Sequence, residues 1–205
     1  LNVPGGYISQ LLTNSPTFAP VVNAGLAENG LYPGTPEYSQ FWLLAQTVID
    51  SADPINYAPY VLNGAVSGRE KFTLMQEAIG DQVIPNAVTD MLARAMGTSF
   101  PQVEPIVNPI YGMGSSPAGV ANGLFQFNTP NHSFLLSPDP EHPEFTYWGQ
   151  LQTVNYLGSY LLSGTPVIID PTSSKGKSLQ ADAAANWSMQ SYPFTINAEA
   201  AVYVR

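Results

Sequence analysis

The chain has 205 residues with a net charge of -9 at pH 7, and its six Lys and Arg residues are scattered. Binding to a phosphate backbone requires clustered basic residues, so this composition excludes nucleic acid as a partner. The absence of cysteine excludes disulfides and thiolate metal sites.

The beginning of the chain predicts turns and short helices. Residues 1–3 are expected to end a strand that Pro4-Gly5-Gly6 breaks, and residues 7–12 are expected to form one or two helical turns. No stretch approaches the roughly 20 apolar residues of a membrane span. The start at Leu1 lacks both an initiator Met and an export signal, so we expect a secreted or cell-surface protein whose signal lies outside the given sequence.

Thr35-Pro36-Glu37 predicts the start of a longer helix, because it offers a hydroxyl cap, a Pro at the first position and an acid near the positive end of the dipole. This helix is expected to run to about Ser51 and to end before Asp53-Pro54. Its apolar residues recur at steps of three and four: Tyr38, Phe41, Trp42, Ala45, Val48, Ile49 and Ala52. The pattern favours core packing over a substrate wall, and both interpretations remain open.

A buried strand is predicted over residues 72–78, and a Gly80-Asp81 turn follows it. The run is short and apolar without a helical face, as in a strand covered on both faces. After Pro85, apolar residues repeat at helical spacing until Gly97, which predicts a second helix. Asp81 therefore lies between a strand and a helix.

A second strand is predicted over residues 123–127, after an irregular segment at 98–122. It leads to His132, and a helix over residues 146–162 follows and ends at Gly164. The order strand, acid, helix, strand, histidine, helix predicts an α/β fold with a mostly parallel sheet. The last stretch, residues 194–204, is a candidate edge strand or appendage.

Asp81 and His132 are predicted to meet, because neighbouring parallel strands carry their following loops to the same edge of the sheet. A carboxylate that orients an imidazole is the acid and base part of a hydrolase triad. The nucleophile is missing, since no Gly-x-Ser-x-Gly occurs in the chain. Ser115 and Ser116 lie between the acid and the base, an order that no α/β-hydrolase has, so a loop role is favoured for them.

Other assignments compete with this pairing. Asp81 precedes a helix and is also a candidate helix cap. Asp50 and Asp53 are interpreted as structural residues at a helix end, with Asp53 the second candidate for the acid. His142, flanked by acids and prolines, is interpreted as a solvated loop residue. Two histidines separated by a Pro-rich loop support no metal site, and no cofactor is predicted.

Several segments carry a resemblance to a known family: Leu1-Asn2-Val3-Pro4-Gly5-Gly6, residues 45–57, Gly80-Asp81-x-Val83-Ile84-Pro85-Asn86, Gln152-x-Val154-Asn155-Tyr156, and residues 164–171. Together they resemble the C-terminal half of bacterial extracellular lipases, and more narrowly the lipases and lysophospholipases of the Pla-1/cef type. Gly-Asp-x-x-x-Pro is common to many α/β-hydrolases, whereas the segment from Asp50 to Tyr57 is more specific. The resemblance covers most of the chain up to about residue 171.

The resemblance implies that residues 1–171 are the C-terminal portion of an α/β-hydrolase domain, with a cap or lid at 13–70 and an extension or edge strand at 172–205. It implies that Asp81 is the triad acid and His132 the base. The nucleophilic Ser and the oxyanion donors are then expected upstream of Leu1. Apolar residues of the cap are a hypothetical cover for an acyl pocket, among them Phe18, Phe41 and Trp42.

We therefore predict a carboxylic ester hydrolase of lipid or short acyl esters, in which this chain supplies acid and base and is inactive without the N-terminal half of the enzyme. Its expected partners are that half, an acyl ester and a lipid surface. A hydrolase processed into two associated chains fits the same residues. The alternative is a non-catalytic lipid-binding or scaffold module.

Overall fold

The computed structural model describes residues 1–174, and their central feature is a four-stranded, all-parallel sheet in the order β1-β4-β2-β3. The strands are β1 (Leu74–Ala78), β2 (Gln102–Val103), β3 (Ser115–Ser116) and β4 (Gly123–Phe127). β1 and β4 pair along their full length, from Leu74 opposite Gly123 to Ala78 opposite Phe127. The predicted α/β class and the parallel sheet are confirmed, and β4 has the predicted bounds.

The first residues extend the sheet beyond β1. Asn2 bridges Gln76 in parallel, the Val3 N–H donates to the Gln76 carbonyl at 2.8 Å, and the Gln76 N–H donates to the Leu1 carbonyl at 2.9 Å. In this register the backbone N–H and C=O of Asn2 point away from β1, and neither group forms a hydrogen bond within residues 1–174. The sheet therefore has an open edge at Asn2.

Two helices cover the two faces of the sheet, and four helical segments precede it. The helices are α1 (Ile8–Asn14), α2 (Ala19–Ala27), α3 (Pro36–Ile49), α4 (Pro54–Tyr57) with a 3₁₀ turn at Ala58–Tyr60, α5 (Asn86–Ala95) and α6 (Glu144–Ser163). The predicted start of α3 is confirmed, since the Thr35 hydroxyl accepts from the Tyr38 N–H at 3.3 Å. Gly97 and Gly164 follow α5 and α6 with positive φ, as the predicted helix ends require.

Alternation along the strands divides the core residues of the sheet between its two faces. Met75 and Leu124 pack on the side of α5, together with Leu92 and Phe100. Phe125 and Phe127 pack on the opposite side, with Phe134 and Tyr156. The rings of Phe125, Phe127 and Phe134 follow one another at centroid distances of 5.0 and 4.9 Å.

Three predictions need correction or lie outside the described residues. The segment 98–122 is not wholly irregular, because it contains β2 and β3, and Ser115–Ser116 forms an edge strand rather than a loop. α3 has no fully buried residue and contributes to none of the core clusters of the described residues, so its stripe does not pack into the core as predicted and is half-buried at Tyr38, Phe41 and Trp42. The predicted strand at 194–204 lies outside the described residues.

Candidate active site

The acid loop, residues 79–85, follows β1 and fixes the Asp81 carboxylate. Gly80 turns the chain with φ 89°, a conformation that favours glycine. The Oδ1 atom of Asp81 accepts the N–H groups of Val83 at 2.7 Å and Ile84 at 3.0 Å. The side chain is 2% exposed, so these amides hold the carboxylate where water barely reaches it. The second oxygen, Oδ2, remains for another partner.

The histidine loop, residues 128–137, follows β4 and is held in place by Asn131 and by Phe134. The Asn131 side chain accepts the Ser133 N–H at 2.9 Å and donates to the Ser137 carbonyl at 2.8 Å. Phe134, 1% exposed, inserts into the core against Phe127. His132 lies between these two anchors, which define its backbone position.

The two loops meet as the sequence predicts. Asp81 Oδ2 lies 2.8 Å from His132 Nδ1, across 51 residues of sequence. The imidazole is 32% exposed, and its Nε2 atom forms no hydrogen bond with the part of the chain that the structure describes. A carboxylate on Nδ1 stabilises the tautomer in which Nε2 accepts a proton. His132 Nε2 is therefore a solvent-accessible proton acceptor at the edge of the sheet where β1 and β4 end.

The competing role of Asp81 as a cap of α5 is not observed. Pro85 is the N-cap residue of α5, and no side chain caps that helix end. Asp81 forms its hydrogen bonds within the loop and to His132. Asp81 therefore stabilises its own loop and contacts His132.

The three predicted substrate-binding residues lie in the helical layer formed by α1, α2 and α3. Phe18 precedes α2 and is 37% exposed. Phe41 and Trp42 lie on α3 in edge-to-face contact, with ring centroids 5.3 Å apart. Trp42 lines a cleft of about 500 Å³ between α1 and α3, and the residues of that cleft do not include Asp81 or His132. Their role in substrate binding stays a prediction.

The structure also places the residues assigned structural or solvated roles. Asp53 is fully buried and accepts the N–H groups of Tyr7, Ile8 and Ile55 and the side-chain amide of Gln46. It caps α4 and holds the start of α1, so its structural interpretation is confirmed. His142 is exposed, with Glu144 at 3.2 Å, as predicted.

Two features near the site were not found from the sequence. The helical layer is attached to the acid loop, since Ser15 Oγ donates to the Val83 carbonyl at 2.7 Å and Thr17 Oγ1 donates to the Gln82 carbonyl at 2.8 Å. Beneath the same loop lies a buried acid, Glu77. Its signal in the sequence is an acidic residue inside a strand that is otherwise predicted to be buried.

Comparisons with protein-family models, curated proteins and solved structures find no significant match. Within residues 1–174, no helix has the length and apolar character needed to cross a membrane.

Proposed function

We propose that this chain supplies the acid and the base of a serine-type carboxylic ester hydrolase, within an α/β-hydrolase fold of the extracellular lipase type. The observation that supports the proposal is the 2.8 Å contact between Asp81 Oδ2 and His132 Nδ1 at the carboxyl ends of two adjacent parallel strands. Ligands and catalytic groups of open parallel sheets collect at this edge.

In the proposed reaction His132 Nε2 takes the proton of a Ser hydroxyl as that oxygen attacks the ester carbonyl. The imidazolium then gives the proton to the leaving alcohol, and a water molecule hydrolyses the acyl-enzyme by the same two transfers. Asp81 holds the required tautomer and stabilises the positive charge that forms on the ring. The N–H groups of Val83 and Ile84 keep Asp81 in place during this cycle.

In this proposal the nucleophile and the oxyanion donors come from outside residues 1–205, since Gly-x-Ser-x-Gly is absent from the chain. The open edge at Asn2 is a suitable place for the strand that carries the Ser. Its free N–H and C=O would pair with that strand, and the Ser would then approach the same edge of the sheet as His132. A longer polypeptide and a second associated chain both satisfy this requirement.

A test of this source of the nucleophile is the intact mass and peptide sequence of the native material. We expect a sequence with Gly-x-Ser-x-Gly, either in the same polypeptide or in a chain that remains bound through gel filtration. A lone monomer of 22.0 kDa, from a reading frame without that motif, would contradict the proposed hydrolase and favour a non-catalytic module.

The non-catalytic alternative, a lipid-binding module, has one observation in its favour. Leu43, Leu44 and Val48 of α3 are exposed at 71%, 68% and 77%. The first basic residue of the chain is Arg69, so the helical layer contains no Lys or Arg to attract anionic headgroups. Any lipid contact of this face is therefore expected to be with neutral lipid and to depend weakly on salt.

A vesicle assay tests this face separately from catalysis. We expect the chain to sediment with neutral phosphatidylcholine vesicles, and the triple change Leu43→Asn, Leu44→Asn, Val48→Asn to weaken partitioning by about tenfold or more through loss of apolar contact. Leu161→Asn, an exposed position on α6, is the matched control. Equal partitioning of all three proteins would rule out α3 as the lipid contact.

A further inference from the structure

Two carboxyl groups, the buried one of Glu77 and the half-buried one of Asp90, lie beneath the acid loop, and the proposed reaction does not use them. Glu77 is on β1 and is 1% exposed, and Asp90 is on α5 within hydrogen-bonding reach of it. The Oδ1 atom of Asp90 is buried and has no hydrogen-bond partner among residues 1–174. A buried acceptor without a donor costs stability unless a proton lies between the two groups.

Within residues 1–174, the groups that act on the pair from outside it are two neutral amides and one arginine. Glu77 Oε2 accepts from the side-chain amide of Gln126 on β4 at 2.9 Å, and Oε1 accepts from that of Asn86 on α5 at 2.9 Å. The other charge that acts on the pair is Arg94, which is one turn beyond Asp90 and exposed. A solvated guanidinium leaves the buried pair only partly compensated.

A chain of hydrogen bonds joins the pair to the acid loop. Asn86 donates to Glu77 and to the Ala78 carbonyl, and its Oδ1 accepts the Gly80 N–H at 2.8 Å. Gly80 directly precedes Asp81. Asn86 and Asp90 are four residues apart on α5, on one face of the helix, so a displacement of Asp90 from Glu77 also displaces Asn86.

We propose that Glu77 and Asp90 share one proton, and that this proton makes the pair a positioning element for the acid loop, holding Asp81 against His132. When the proton leaves, two like charges face each other between β1 and α5. Their repulsion separates the first turns of α5 from β1, Gly80 loses the Asn86 acceptor, and the contact between Asp81 and His132 loosens.

The ionisation of the pair agrees with this geometry. Burial raises the pKa of Glu77 to about 7, with the charge of Asp90 adding to the rise and the hydrogen bonds from Gln126 and Asn86 opposing it. Burial also raises the pKa of Asp90, against the hydrogen bond of Glu77 and the charge of Arg94. A carboxyl group with a raised pKa in the folded state stabilises the fold at low pH. That contribution is lost as pH rises from the unfolded value near 4.5 to about 7.

A positioning role for the pair rests on the proposed hydrolase function. The test below needs no substrate, so this role can be refuted while the proposed function stands, and the proposed function can be refuted while the pH response of the loop remains. Asp90→Asn is the informative variant, because its amide donates permanently to the Glu77 carboxylate in place of the shared proton. Asp90→Ala removes the partner altogether. Glu70→Gln, at an exposed position, is the control for the loss of one acidic charge.

The measurements are made on the 205-residue chain between pH 5.5 and 8.5. NMR follows the protection of the Gly80 and Val83 amides and the His132 Nδ1 proton, with His142 as the internal reference. In the wild type we expect protection to fall by about tenfold or more as the pair ionises, and the Nδ1 resonance to broaden. Asp90→Asn keeps both signals at pH 8.5, Asp90→Ala shows no pH-dependent loss because only one charge remains, and Glu70→Gln follows the wild type.

Urea unfolding gives a second readout if a variant folds poorly. The wild-type midpoint is expected to fall between pH 5.5 and 7.5, and that of Asp90→Asn to stay level by comparison. Burial lowers the pKa of the Leu1 amino group, and a lowered amine pKa makes stability rise with pH. This contribution is the same in the wild type and in Asp90→Asn, so it cancels when their midpoints are subtracted. Parallel pH profiles of wild type and Asp90→Asn, in both readouts, would overturn the inference.

Discussion

If the proposed hydrolase is correct, replacing His132 by Ala in the native protein that carries the Ser is expected to lower kcat for ester hydrolysis by about 10⁴-fold or more, because the Ser proton loses its acceptor. Asp81→Asn is expected to have an effect of similar size for a different reason. The amide oxygen of the introduced side chain would still accept the Val83 and Ile84 N–H groups, but its NH₂ group would face His132 Nδ1. The ring would then carry its proton on Nε2 and could not accept another there.

The measurement is the hydrolysis of p-nitrophenyl esters of graded acyl length, with kcat and KM determined separately. The chain offers a matched control in its second histidine. His142 Nδ1 also faces a carboxylate, that of Glu144 at 3.2 Å, but both side chains are exposed. His142→Ala should retain full activity. Activity of His132→Ala within tenfold of the wild type would contradict the role assigned to His132.

Replacing Asp53 by Ala is expected to lower the free energy of unfolding by about 3 kcal/mol, the largest stability effect that we predict. The carboxylate is fully buried and accepts four donors, which the variant would leave without an acceptor. The loss should be greatest at the start of α1, where the N–H groups of Tyr7 and Ile8 both depend on this side chain.

Urea unfolding at pH 7 measures this loss, with Glu70→Ala as the control at an exposed acidic position. Although burial raises the pKa of Asp53, hydrogen bonds from Ile8, Gln46, Ile55 and Tyr7 more than offset it and lower that pKa. A lowered pKa stabilises the fold above the unfolded value of 3.8, and this contribution is lost in more acidic solution. A deficit below about 0.5 kcal/mol would show that other contacts hold α1.

The sheet and the contact between Asp81 and His132 were predictable from the sequence because both depend on local signals. Strand β4 is a short apolar run between turn residues, and it has the predicted bounds, Gly123–Phe127. Parallel pairing of β1 and β4 then brings their following loops together, whatever the rest of the chain does. The contact between Asp81 and His132 could therefore be predicted without knowing how the helical layer packs.

Other parts depend on tertiary contacts that no local pattern encodes. β2 and β3 are two residues long and form only because β4 offers β2 an edge. The apolar spacing of α3 indicated a core helix, yet its stripe is only half-buried, because among the described residues α3 packs against the short helix α1 and not against the sheet. The proximity of Glu77 and Asp90 joins a strand to a helix across a buried face, and neither residue has a sequence motif.

The most direct measurement of the central claim is the rate at which a fluorophosphonate phosphonylates the native protein, with mass spectrometry of the labelled residue. We expect a single Ser within Gly-x-Ser-x-Gly to be labelled, about a thousandfold or more slowly in His132→Ala, and at the wild-type rate in His142→Ala. Labelling that is absent in the wild type, or that proceeds equally fast in His132→Ala, would contradict the assignment of Asp81 and His132 as the acid and base of a serine hydrolase.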